Sequence, residues 1–147
     1  MTGLAIRKAV IADSEGIAKL VSELGYPTSS GQLQRRLKTI LHDDDYHTLV
    51  ACEAGAIVGF IGTRRGPLYE DDGLYGQIMA LAVAPSYQRR GIGGMLMQAA
   101  ESRLVERGAT VLVVTSGNHR ADAHAFYEDC GYSFTGRRYR KSLGTSA

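Results

Sequence analysis

The sequence has 147 residues, 44% of them hydrophobic and 22% charged, proportions that suit one soluble globular domain and exclude a disordered or fibrous chain. Its 17 Lys and Arg against 15 Asp and Glu leave a net charge of only +2, which speaks against a dedicated nucleic-acid binder. No apolar run reaches membrane-span length, Met1 to Val10 lacks a charged-then-apolar leader, and two cysteines, Cys52 and Cys130, make neither a disulfide framework nor a zinc quartet. We therefore expect a cytoplasmic protein with no metal, no membrane contact and no nucleic-acid partner.

In chain order, Leu4 to Lys8 reads as a short strand, and Asp13 can cap a helix carrying Ile17, Leu20, Val21 and Leu24 on one stripe. Gly25-Tyr26-Pro27 stops that helix. Ser29 or Ser30 can open a second, with Leu33, Leu37, Ile40 and Leu41 on one side. His47 to Cys52 and Ala56 to Thr63 are β-rich runs joined by Glu53-Ala54-Gly55, a hairpin by its length and its glycine. Arg64 to Gly73 reads as a loop holding Pro67 and the acids Glu70, Asp71 and Asp72. Ile78 to Val83 is apolar at almost every position, as a strand buried on both faces would be. A helix follows from Gly91 to Gly108, then a strand Val111 to Val114, then a helix from about His119 to Cys130 closed by Gly131. Tyr132 to Phe134 and Arg138 to Arg140 can close the chain as a hairpin around Gly136. With no repeat or linker, these elements predict a single-domain mixed α/β fold with helices on both faces of its sheet.

The chemistry concentrates where the buried strand runs through Gln88-Arg89-Arg90-Gly91-Ile92-Gly93-Gly94 into a helix. A helix start leaves N–H groups unpartnered and favours an anion. Glycines there let a bulky diphosphate approach the backbone, and Arg89 and Arg90 add forked donors for phosphate oxygens. Neither the lysine-bearing phosphate loop nor the dinucleotide G-x-G-x-x-G spacing is present.

The stretch Gln88 to Gly93 resembles the acetyl-CoA-binding signature [QR]-x-x-G-x-[GA] of the GNAT N-acetyltransferases and matches it in full. Ala123-His124-Ala125-Phe126-Tyr127-Glu128-Asp129-Cys130-Gly131-Tyr132 is similar to the family's second signature, and the element order matches from Leu4 to Arg140. Within the family, His119 to Tyr127 looks most like small bacterial members related to the aminoalkylphosphonate N-acetyltransferases. The resemblance implies an acyl-CoA N-acyltransferase fold: a mostly antiparallel sheet whose central parallel pair splays apart. It also implies direct transfer of acetyl from acetyl-CoA to a primary amine of a small molecule or peptide in a ternary complex. Dimerisation is common in the family, so a homodimer is among its implications.

Carried over residue by residue, Leu81, Ala82 and Val83 would pair with pantetheine, and Gln88, Arg89, Arg90, Gly91, Ile92, Gly93 and Gly94 would hold the diphosphate. Asn118 and Ala123 would also face the cofactor, although Arg120 occupies the spacing at which many relatives carry Asn. Tyr127 would protonate the departing thiolate. The base departs from the pattern: where many relatives carry Glu, this chain reads Gln77, Ile78, Met79 and Ala80. Gln77 can orient a water but cannot take a proton. Glu70, Asp71, Asp72, His47 or a water chain are the alternatives. Two further readings stay open: an acyl-CoA-binding module without turnover, and, more remotely, another nucleotide-phosphate enzyme. The charge evidence on the acceptor is divided, since Glu70 to Asp72 would draw a cationic amine and Arg64 and Arg65 an anionic one.

Overall fold

Runs rich in β-branched and aromatic residues form a five-stranded sheet in the computed structural model, which describes residues 3–114, 121–136 and 138–144. The strands β1 (Leu4–Lys8), β2 (Tyr46–Glu53), β3 (Ala56–Pro67), β4 (Leu74–Val83) and β5 (Ala109–Val114) lie side by side in chain order. All neighbours are antiparallel except β4 and β5, which run parallel. The helices are α1 (Ser14–Glu23), α2 (Ser30–Ile40), α3 (Ile92–Glu106) and α4 (Ala121–Asp129). The chain divides into two compact units, Met1–Ser116 with all five strands and α1 to α3, and Gly117–Ala147 with α4. Among the described residues no helix is long and apolar enough to cross a membrane.

Side chains alternate across a strand, so register decides which face each one joins. Val50, Phe60 and Ala82 stand in one cross-strand row and are buried with Ile17, Ala18 and Leu20 of α1 and Leu33 and Leu37 of α2. Gly59 looks the other way: a Cβ there would stand 3.1 Å from Leu96 Cδ1 and 3.4 Å from Ile92 Cγ2 of α3. Helices therefore cover both faces of the sheet, as the sequence predicts.

The β3–β4 ladder is irregular at one point: Gly62 pairs with Ala80 and Thr63 with Ile78, which leaves Met79 between them as a β-bulge. The described parallel ladder runs from Leu74 opposite Ala109 to Ile78 opposite Val114. Ala80 to Val83 keep β3 partners, Gly62 to Gly59. A mostly antiparallel sheet with a parallel β4–β5 pair is the architecture the resemblance implies.

Three expectations change. Arg64 to Pro67 is strand, not loop, and β4 begins at Leu74 instead of Ile78, so β3 and β4 form a longer hairpin. Gly66 makes that extension possible, because a Cβ there would come within 2.7 Å of the Tyr75 ring in the opposite strand. Asp13 precedes α1, but its carboxylate turns back, accepting from both Arg7 nitrogens at 2.8 Å and from the Val10 N–H at 2.8 Å. Among the described residues no closing hairpin forms: 132–136 and 138–143 carry neither helix nor strand. His119 and Arg137 lie outside the described residues.

Candidate active site

The chain leaves Val83, makes a short 3-10 turn at Pro85–Tyr87 and enters α3 at Ile92. Two left-handed residues shape the approach: Arg89 with φ 66° and Gly91, the residue before the helix, with φ 78°. Glycine adopts that conformation without the clash a Cβ brings, whereas Arg89 holds it as a strained residue. Gly91 has no side chain with which to cap α3, and the first helical bond runs from the Met95 N–H to the Gly91 carbonyl at 3.1 Å. Helix geometry therefore leaves the N–H groups of Ile92, Gly93 and Gly94 without intrahelical acceptors, at the positive end of a 15-residue helix. A Cβ added at Gly91 or Gly94 would meet no heavy atom of the described residues within 4 Å, so the space beside these two glycines is clear of them.

The turn is fastened at two places. The Gln88 side chain donates from Nε2 to the Val83 carbonyl at 3.1 Å, tying the turn to the end of β4. Arg90 forms a two-pronged pair with Glu53 at 2.9 and 3.2 Å and lies over the Tyr87 ring, 5.1 Å from its centre. Glu53 and Tyr87 carry no local motif, and the 37-residue separation of Glu53 from Arg90 hides their pairing from any reading of spacing. Arg89 is exposed, and Ile92 is buried against the sheet.

Leu81, Ala82 and Val83 form the last part of β4, opposite Ile61, Phe60 and Gly59. Gln77 lies earlier in the same strand, paired with Arg64 of β3 and Val113 of β5. The structure thus brings Leu81 to Val83, Gln88 to Gly94 and Gln77 onto one strand and the turn that follows it.

The alternative bases are spread apart. Glu70, Asp71 and Asp72 are exposed just before β4, where Asp71 Oδ1 accepts the Gly73 N–H at 3.1 Å. His47 shares a small cleft with Thr63, Arg103 and Arg107. Burial, and then the charges of Arg103, Lys8 and Arg107, hold its pKa below the usual histidine value. Arg103 lies about 16 Å along α3 from Ile92, so His47 serves the far end of that helix.

In the second unit, Ala123 and Tyr127 belong to α4. The Tyr127 ring meets Phe126 edge-on with centres 5.6 Å apart, and its carbonyl accepts from the Tyr132 N–H at 3.0 Å where Gly131, φ 94°, ends the helix. Asn118 and Arg120 lie outside the described residues. Among the described residues, no group of three or more His, Cys, Asp and Glu side chains converges.

Residues 15–132 match the model of the acetyltransferase (GNAT) family. The chain is 28% identical over 139 residues to an aminoalkylphosphonate N-acetyltransferase of Salmonella typhimurium, covering 94% of this chain and 90% of that protein. It is 29% identical over 133 residues to an uncharacterised N-acetyltransferase of Bacillus subtilis, covering 86% and 88%. Among solved structures, a GNAT family acetyltransferase of Staphylococcus aureus superposes with a TM-score of 0.81 at 26% identity, over 97% of this chain and 100% of that one.

Proposed function

The chain belongs to the GNAT acetyltransferase family, and from that premise we propose a cytoplasmic, acetyl-CoA-dependent N-acetyltransferase that acts on a primary amine of a small molecule. The observation that carries the cofactor reading is the free first turn of α3 placed directly after the end of β4. Diphosphate oxygens fit the N–H groups of Ile92, Gly93 and Gly94, with Arg89 beside them. An extended pantetheine arm would run along β4 from Val83 back to Met79, about 13 Å at strand spacing. Once bound, the thioester would supply the activated acetyl group.

An alkyl ammonium has a pKa near ~10.4, so the acceptor must lose a proton before it attacks the carbonyl. With no carboxylate on β4, we assign the relay of that proton to bulk solvent to a water oriented by Gln77. Tyr127, in the family's second signature, is our choice for the acid that protonates the departing thiolate. A thiol-release assay over small amines tests the proposal, with Tyr127→Phe expected to lower kcat by about a hundredfold while coenzyme A affinity stays within about twofold. The missing β4 carboxylate favours one rival, an acyl-CoA-binding module without turnover. Coenzyme A binding with no acetyl transfer to any amine would select the rival, and absence of coenzyme A binding would overturn both.

A further inference from the structure

The C-terminal half of α3 carries a second concentration of positive charge. His47 of β2, half-buried, pairs across the sheet with the buried Thr63 of β3. Alternation from Gly59 puts both of them, and Arg65 two residues on, on the face that α3 covers. Arg103, Leu104 and Arg107 lie over them and close a small cleft between the two strands and the helix. Three guanidiniums thus line one cleft beside an imidazole.

Their partners are unevenly shared. Arg65 is engaged on both sides: Nε bonds Asp45 at 3.2 Å and Nη1 donates to the Arg107 carbonyl at 2.9 Å. Arg107 reaches only the backbone carbonyl of Asp44, at 3.5 Å. Among the described residues no ion pair joins Arg103 or Arg107 to a carboxylate. These two arginines are half-buried and one helical turn apart, a like-charge spacing that by itself costs helix stability. The negative end of the α3 dipole offsets about half a charge, and its Arg107 carbonyl is already taken by Arg65. Burial, then the charges of Arg103, Lys8 and Arg107, keep His47 below the usual histidine pKa, as expected of an imidazole in a positive field. The Thr63 hydroxyl is turned to the His47 carbonyl at 3.3 Å and forms the floor.

We propose that this cleft binds a small tetrahedral oxyanion, inorganic phosphate or the phosphate of a small monoester, held by Arg103 and Arg107 with His47 as a third donor. Guanidinium forks match two oxygens of such an anion, and the anion relieves the repeated charge on α3. The site is separate from the Gln88–Gly94 turn, because Arg103 lies about 16 Å along α3 from Ile92. Protonated His47 donates from both ring nitrogens, so binding tightens as pH falls through its pKa. The charged groups around that ring are Lys8, Asp44, Asp45, Arg65, Arg103 and Arg107.

Sulfate is the probe, since its charge stays constant between about pH 5 and 8, where histidine titrates. Coenzyme A is added first, to fill the N-terminus of α3. Calorimetric titration should give a sulfate Kd of about 1 mM or below at low salt, weakened about tenfold in Arg103→Gln and less in Arg103→Lys. By NMR, the His47 ring signal, assigned by its loss in His47→Gln, should titrate with a pKa higher by about 0.5 or more in saturating sulfate. That reading needs only the wild type and stands whether or not the arginine variants fold. Inorganic phosphate and glycerol 3-phosphate then identify the source: tighter binding of the monoester assigns the cleft to an ester, and equal or weaker binding assigns it to the free ion. Sulfate binding as tight in folded Arg103→Gln as in the wild type, or a His47 pKa that sulfate leaves unmoved, would overturn the site and leave these arginines as solvated charges at a helix end.

Discussion

Replacing Gly91 with Asn separates the two roles a glycine can have before α3. Its φ of 78° would cost an ordinary L-residue about 1–2 kcal/mol, but Asn tolerates left-handed backbone better than most. A Cβ at this position meets no atom of the described residues within 4 Å, so the Cβ clashes with none of them. The stability loss should therefore stay below about 1 kcal/mol, small beside the roughly 5–15 kcal/mol that hold a typical domain. The ligand faces a different situation, because the carboxamide stands in the clear space beside the helix start. Loss of one hydrogen bond to a charged oxygen is worth about 1.5–3 kcal/mol, or about a ten- to hundredfold rise in Kd for coenzyme A. Urea denaturation gives the first quantity and calorimetric titration with coenzyme A the second. If the folded Asn variant binds coenzyme A as tightly as the wild type, the left-handed glycine only shapes the helix start and the diphosphate lies elsewhere.

Two further outcomes follow from the charge pairs. Glu53→Gln leaves Arg90 uncompensated beside an anion site, so coenzyme A should bind about threefold more tightly at low salt. The gain should vanish near 1 M salt, where the Debye length is about 3 Å, and a tighter variant at every ionic strength would refute the electrostatic account. Asp13 is buried, and the hydrogen bonds from Arg7, aided by the Val10 N–H, hold its pKa below the ordinary carboxylate value. Its contribution is complete above the unfolded value near ~3.9 and is lost as pH falls through the lower folded pKa. Asp13→Asn should be less stable at neutral pH, and its deficit against the wild type should shrink below pH ~3.9 in urea melts; parallel pH profiles would refute that assignment.

Much of the site was legible in the chain because its determinants are local. An apolar strand, a basic pair and glycines before an amphipathic helix occupy one unbroken stretch from Ile78 to Glu106, and adjacent residues suffice to set a helix start. Loop signals misled between Arg64 and Gly73, where Pro67 and two glycines suggested irregular chain. There the packing of the Tyr75 ring over Gly66 extends the hairpin, and no count of turn formers contains that contact.

The sequence by itself determined the order of elements, the glycine-lined helix start and the lack of a carboxylate along β4, since each depends on neighbours in the chain. Tertiary structure alone decided that Glu53 occupies Arg90, that Asp45 occupies Arg65, and that β4 carries a bulge at Met79. Those outcomes depend on strand register and on groups 20 and 37 residues apart, and charge and burial at that range follow only once the sheet has been assembled.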